Sequence, residues 1–190
     1  HKDDLEAIQA IADGCELTYD DILFLNAFYT LTTRHTMACR QLAVWGDRTE
    51  DGRLIHARNL DWVDYPGRPL SNHHLILNVE PKDGHRYVLL TWPGLIGAVT
   101  GTNEKQITVA FNQLFGGDHK DRLAEPAFFV IRRILETCDN IDDAIKMLTD
   151  AKPLDDGSIM ITDAKAKMAA VVEIIDGQVG VRRAEDELIA

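Results

Sequence analysis

The residues whose types and spacing suggest chemistry fall in two short runs, Cys39-Arg40-Gln41-Leu42-Ala43-Val44-Trp45-Gly46 and Leu54-Ile55-His56-Ala57-Arg58-Asn59-Leu60-Asp61-Trp62. Both read as strands, and Asp51-Gly52 between them reads as a hairpin turn. If the two strands pair, the end of the second returns beside the start of the first, and Cys39 faces Arg58 and Asp61. A guanidinium close to a thiol lowers its pKa from about 8.5 towards neutrality and favours the nucleophilic thiolate. Arg58 therefore suits activation of Cys39. A plainer reading is available for the same residues, because a strand cysteine is often a small core side chain and Arg-x-x-Asp is often a surface ion pair. The motif alone leaves both open.

The elements around this hairpin follow from periodicity. Leu5, Ile8, Ile11 and Ala12 recur at helical spacing over residues 4–13, and Asp13-Gly14 stops them. Thr18 with Asp21 three residues on is a capping-box-like opening for a second helix reaching about Leu31. Beyond the hairpin, strands are expected over 74–80, 85–92, 97–102 and 106–114, punctuated by Asp83-Gly84, Pro93-Gly94 and Asn103-Glu104. Helices are expected over 125–137 and from Asn140 or Asp142 to Leu148, and strands again over 158–162, 169–175 and 179–182. Helices, a long strand meander, two helices and more strands point to an α+β layered architecture, with no internal repeat or linker.

The hairpin residues resemble the start of the mature chain in the N-terminal-nucleophile (Ntn) hydrolases of the acyl-CoA:6-aminopenicillanic acid acyltransferase (peptidase C45) and choloylglycine hydrolase group, which includes penicillin V acylase and acid ceramidase-like amidases. The matching features are Cys39, Ala43-Val44, Asp51-Gly52 and Ala57-Arg58-Asn59-Leu60-Asp61-Trp62. Asn103-Glu104-Lys105 followed by Ile107-Thr108-Val109-Ala110-Phe111-Asn112 resembles the family's Asn-Glu-Lys-Gly turn and the strand ending in a site asparagine, with Gln106 in place of glycine. Ile11-Ala12-Asp13-Gly14 and Asp21-Ile22-Leu23-Phe24-Leu25-Asn26 resemble the segment before the nucleophile, and the later helices and the 159–163 strand fall in family order.

The resemblance implies an αββα sandwich of antiparallel sheets, with residues 1–38 a helical segment preceding the nucleophile and 39–190 the N-terminal part of the hydrolase domain. It implies self-cleavage between Ala38 and Cys39. The α-amine so released, with an ordinary pKa of about 7.7 to 8.0, can act as base for its own thiol. By the same carry-over Cys39 attacks an amide carbonyl through an acyl-thioester, Asp61 holds the new amine, Arg58 stabilises the thiolate and Asn112 helps bind the oxyanion. Trp62 and Phe111 are expected against the substrate, with Trp45 and Trp92 as further candidates for an apolar acyl pocket. Substrates implied are N-acylated small molecules such as penicillins, bile-salt conjugates, acyl amino acids or fatty amides, and neither metal nor organic cofactor is needed. The family's second oxyanion asparagine and second site arginine have no counterpart before Ala190, Arg182 and Arg183 being the nearest arginines, so a C-terminally truncated chain is expected. Two rivals stay open: a non-catalytic Ntn-fold binding or assembly protein that never self-cleaves, and a conventional thiol hydrolase pairing Cys39 with His35 without processing.

Composition bounds the rest. The 190 residues are 45% hydrophobic and 27% charged, which suits a globular chain with a core. The net charge of −11 disfavours nucleic acid and anionic lipid as partners. Apolar runs are too short for a membrane span, and the start at His1 lacks the basic and apolar regions of a signal peptide, so a removed leader or an excised piece is expected and the compartment stays open. Homo-oligomerisation is also left open. Cys15, Cys39 and Cys138 form no CxxC pair, and His73-His74, as strand neighbours, point to opposite faces and poorly share one ion. At least one of that pair is expected to be exposed, and Cys15 and Cys138 are expected to be packing or semi-exposed thiols. Gly116-Gly117 lacks the spacing of a phosphate loop.

Overall fold

The computed structural model describes residues 1–32, 37–62, 70–117 and 122–190. Helix α1 (Lys2–Gly14) and helix α2 (Tyr19–Thr32) form a hairpin, followed by strands β1 (Met37–Gly46) and β2 (Gly52–Trp62). Strands β3 (Leu75–Val79), β4 (Tyr87–Thr91), β5 (Thr100–Asn103) and β6 (Ile107–Gln113) make the meander. Helices α3 (Ala127–Thr137) and α4 (Ile141–Ala151) lead into β7 (Gly157–Asp163), β8 (Met168–Ile175), β9 (Gln178–Arg183) and the short β10 (Leu188–Ile189). Two antiparallel sheets result, one of seven strands in the order β3-β4-β5-β6-β7-β8-β9 and one of three in the order β10-β1-β2.

Three buried clusters hold these layers. Val109, Phe111, Ile159, Ile161 and Val172 on one face of the large sheet meet Val130, Ile131, Ile134 and Leu135 of α3 and Leu148 of α4. Each such side chain contributes about 1.5–3 kcal/mol by leaving water. On the other face Met160 and Val171 pack against Ala43 and Trp45 of the small sheet. Ile8, Ala12 and Ile22 of the helical hairpin pack with Ile96 and Phe129. Asn26 reinforces that third contact, donating to the Gly94 carbonyl and accepting from the Ile96 amide, each at 2.9 Å.

Several local expectations are met in atomic detail. Thr18 and Asp21 form a reciprocal capping box, with Thr18 N donating to Asp21 at 2.9 Å and Asp21 N to Thr18 Oγ1 at 3.1 Å. Asn140 rather than Asp142 caps α4, accepting from Asp143 N at 2.9 Å. The hairpin turn is entered at Gly46 (φ +60°) and left at Gly52 (φ +70°), a backbone that favours glycine at both ends. Gln106 adopts φ +63°, the left-handed conformation that a glycine there would take without strain. Expected strand 97–102 begins later, at Thr100, because the Ala98 amide donates to the Phe128 carbonyl at 2.9 Å and ties that stretch to α3.

Candidate active site

Strands β1 and β2 pair with Cys39 opposite Leu60, Gln41 opposite Arg58 and Ala43 opposite His56. Side chains alternate between faces along a strand. Cys39, Gln41, Ala43 and Trp45, with Leu54, His56, Arg58, Leu60 and Trp62, therefore look at the large sheet, while Arg40, Leu42, Asn59 and Asp61 lie exposed on the outer face. Arg58 is diagonal to Cys39, and its Nη2 donates to Cys39 Sγ at 3.7 Å. The same nitrogen donates to the Phe111 carbonyl, and Nη1 to the Thr100 hydroxyl. A half-buried thiol thus sits beside a guanidinium whose fork is clamped to two strands of the other sheet. That arrangement offers a nucleophile with a fixed positive charge next to it.

The remaining candidates divide. Asp61 does not share the face of Cys39, because it stands three positions beyond Arg58 and an odd offset in a strand reverses the side chain. It lies exposed, across from Ala38, and so flanks the Ala38–Cys39 peptide rather than the thiol. Asn112 follows Phe111 on β6 and faces the small sheet, as its neighbour Ala110, paired with Met160, does. Its Oδ1 is buried with no hydrogen-bond partner among the described residues. Phe111 is a correction to the expected substrate wall. Its side chain is fully buried on the helix face, edge-on to Phe128 at 5.3 Å, and Gly157 leaves it room, since a Cβ there would fall 2.2 Å from the ring. Only the Phe111 carbonyl reaches the site. Trp62 does share the thiol's face, half-buried and edge-on to Trp92 at 5.0 Å, with His74 5.2 Å from Trp92.

The other thiols are elsewhere. Burial pushes the Cys138 thiol up to about 11, and Cys15 lies exposed at the exit of α1. His73 and His74 are both exposed, and His35 lies outside the described residues. Among the described residues no three His, Cys, Asp or Glu side chains converge as a metal site.

A polar relay next to the thiol has no counterpart in the sequence motif. Gln41 Nε2 donates to the Ala110 carbonyl at 3.1 Å, and Gln41 Oε1 lies 3.0 Å from His56 Nε2. His56 Nδ1 is 3.2 Å from the Thr162 hydroxyl on β7. Since a carbonyl only accepts, Gln41 must turn its amide nitrogen to Ala110 and its oxygen to His56. His56 then carries its proton on Nε2, and Thr162 donates to Nδ1. Burial, and next the charge of Arg58, lower the His56 pKa to about 4, so the ring is neutral. The readable signal was His56-x-Arg58, two polar side chains on one strand face.

The model of the family described as acyl-coenzyme A:6-aminopenicillanic acid acyl-transferase matches residues 48–190. The chain belongs to that family. The matched span takes in Arg58, Asp61 and Asn112 and begins after Cys39. Among curated relatives, protein dcd1A of Dictyostelium discoideum is 28% identical over 154 residues, covering 77% of this chain and 34% of its own length. Acid ceramidase of Bos taurus is 26% identical over 172 residues, covering 78% of this chain and 41% of its own. The chain therefore spans well under half the length of these curated relatives. Among solved structures, the Caenorhabditis elegans ortholog of N-acylethanolamine-hydrolyzing acid amidase superposes with a TM-score of 0.62 at 18% identity, covering 80% of this chain and 68% of that one. The fold of this family member is the Ntn-hydrolase fold, α+β with stacked antiparallel sheets, seen here with α3 and α4 on the large sheet.

Proposed function

We propose that Cys39 is the nucleophile of a self-processing amidohydrolase or acyltransferase that cleaves a linear carbon-nitrogen amide of an N-acylated small molecule. The 3.7 Å contact between Arg58 and the Cys39 thiol, at the head of a strand in an acyltransferase-family chain, carries this reading. Processing begins as the thiol adds to the Ala38 carbonyl carbon. The carbon-nitrogen bond to Cys39 breaks, its nitrogen takes the proton, and water hydrolyses the thioester to leave the Ala38 carboxylate and a free Cys39 amine and thiol. Residues 1–38 are then the segment preceding the nucleophile and 39–190 begin the hydrolase domain.

In turnover the new amine takes the thiol proton as sulfur attacks the substrate carbonyl. Asn112, whose side chain faces the small sheet, supplies an N–H donor to the tetrahedral oxyanion. The amine product leaves with the proton, and water or an acceptor takes the acyl group from Cys39. Arg58 supplies fixed positive charge, Asp61 flanks the amine through its pairing with Ala38, and Trp62 with Trp92 offers an apolar wall. Neither metal nor organic cofactor enters these steps. The matches to acid ceramidase and to an N-acylethanolamine-hydrolyzing acid amidase favour ceramides and N-acylethanolamines as first substrates to test.

The test is intact-mass analysis of the purified full chain together with turnover of an N-acyl amide panel. A new N-terminus at Cys39, lost with turnover in Cys39→Ala, is the expected result. An intact mass with no turnover of any amide favours a non-catalytic binding member of the family.

A further inference from the structure

We infer that His56, acting through Gln41 and Thr162, is a positioning residue that fixes the Arg58 guanidinium beside the Cys39 thiol. The inference rests on the reading of Cys39 as a nucleophile, and its observations are geometric. The hairpin is attached to β6 by two side-chain clips on consecutive carbonyls. Gln41 donates to Ala110, and Arg58 donates to Phe111. Gln41 and Arg58 are also direct register partners across the hairpin, and Cys39 lies two residues from Gln41 on the same face. Whatever sets Gln41 therefore sets the height of the thiol and the guanidinium over β6.

Gln41 by itself has two amide orientations that differ by a half-turn, and only one presents a donor to Ala110. His56 selects between them, because its Nε2 proton needs the Gln41 oxygen. Thr162 completes the relay, its hydroxyl donating to Nδ1 while the proton stays on Nε2. Gln41 and Thr162 are both buried, so water is a poor substitute for either bond. A neutral ring satisfies this arrangement, in line with the lowering of its pKa by burial and by Arg58. The relay ends in β7, so the orientation of the hairpin is referred to a third strand of the large sheet beside β5 and β6.

The experiment measures the rate of Cys39 alkylation by iodoacetamide in the full chain at neutral pH, resolved from Cys15 and Cys138 by peptide mass spectrometry, with circular dichroism as the check on folding. His56→Leu and Thr162→Val are expected to slow alkylation about fivefold, as Arg58→Leu does, which is the scale of coupling between contacting groups. His56→Gln, whose amide can donate to Gln41 and accept from Thr162, and Thr162→Ser, which keeps the hydroxyl, are expected to stay within about twofold of the parent rate. An unchanged or faster rate in folded His56→Leu and Thr162→Val overturns the inference, as does a His56→Gln protein as slow as His56→Leu. Should His56→Leu not fold, the Thr162→Val and Thr162→Ser pair decides the same question. A parent chain that shows this alkylation pattern but turns over no N-acyl amide loses the proposed function and keeps the positioning role.

Discussion

The two faces of the large sheet are built by the same alternation, and although Met160 and Val171 pack on Ala43 and Trp45 on the hairpin side, the polar partners around the thiol set that region apart from the helix face. On the helix face, Val109, Phe111, Ile159 and Ile161 meet α3 and α4 in a continuous apolar cluster. On the hairpin face, next to the thiol, the contacts are polar and directional: Arg58 to the Phe111 carbonyl and Thr100, Gln41 to Ala110, and His56 to Thr162. Phe111 belongs to both, with its ring in the first region and its carbonyl in the second. Apolar packing is tolerant of small rotations and contributes the bulk of stability, whereas hydrogen bonds fix angles and contribute little net. One face therefore stabilises the sheet and the other aims a side chain.

That contrast is most exposed to test at Phe111. Phe111→Ala leaves the backbone carbonyl but empties the core, and it is expected to cost about 3–5 kcal/mol of stability in urea unfolding. Asn112→Ala, one residue on and on the other face, is expected to reverse the pattern. It should lower kcat by roughly 10²- to 10³-fold, as the loss of one oxyanion donor does, while the urea midpoint barely moves. If both substitutions act mainly on stability, the division between the faces fails.

Acid titration separates the two faces in another way. An unfolded histidine takes its proton near pH 6.5, and folded His56 takes it at about 4. Between those values the unfolded chain binds a proton that the folded one refuses, so stability falls as pH drops through this window. The loss is on the order of 3 kcal/mol and complete below the folded value. Urea unfolding across the window should show that slope in the parent chain and a shallower one in His56→Gln. A slighter change is expected at Gln106, remote from either face's chemistry. Gln106→Gly relieves a left-handed backbone and should raise stability by roughly 1 kcal/mol without touching activity.

Much of this was readable because it is local. The Thr18–Asp21 capping box, the Asn140 cap and the hairpin turn at Asp51-Gly52 depend on residues a few positions apart. The meeting of Cys39 with Arg58 needed only that one turn to close. The face of Asp61 was encoded too, in its odd separation from Arg58, which sets the two side chains on opposite faces of β2. What could not be read depends on distant partners. Thr162 reaches His56 from more than a hundred residues away, and the side taken by Phe111 is decided by where α3 docks. Asn103 is a similar case. Beyond its place in the turn, it donates to the Leu135 and Cys138 carbonyls and so anchors the end of α3, which no local pattern announces.

The helical hairpin that precedes the thiol carries one more implication. Ile8, Ala12 and Ile22 are packed against the body of the protein, Asn26 grips the Gly94–Ile96 loop, and Asp4 lies 3.6 Å from Arg132 of α3. None of these contacts runs through the Ala38–Cys39 bond. A break in the chain at that point would sever a tether and leave the joint intact, so the nicked protein would migrate as one particle in native gel filtration and as two bands only once denatured.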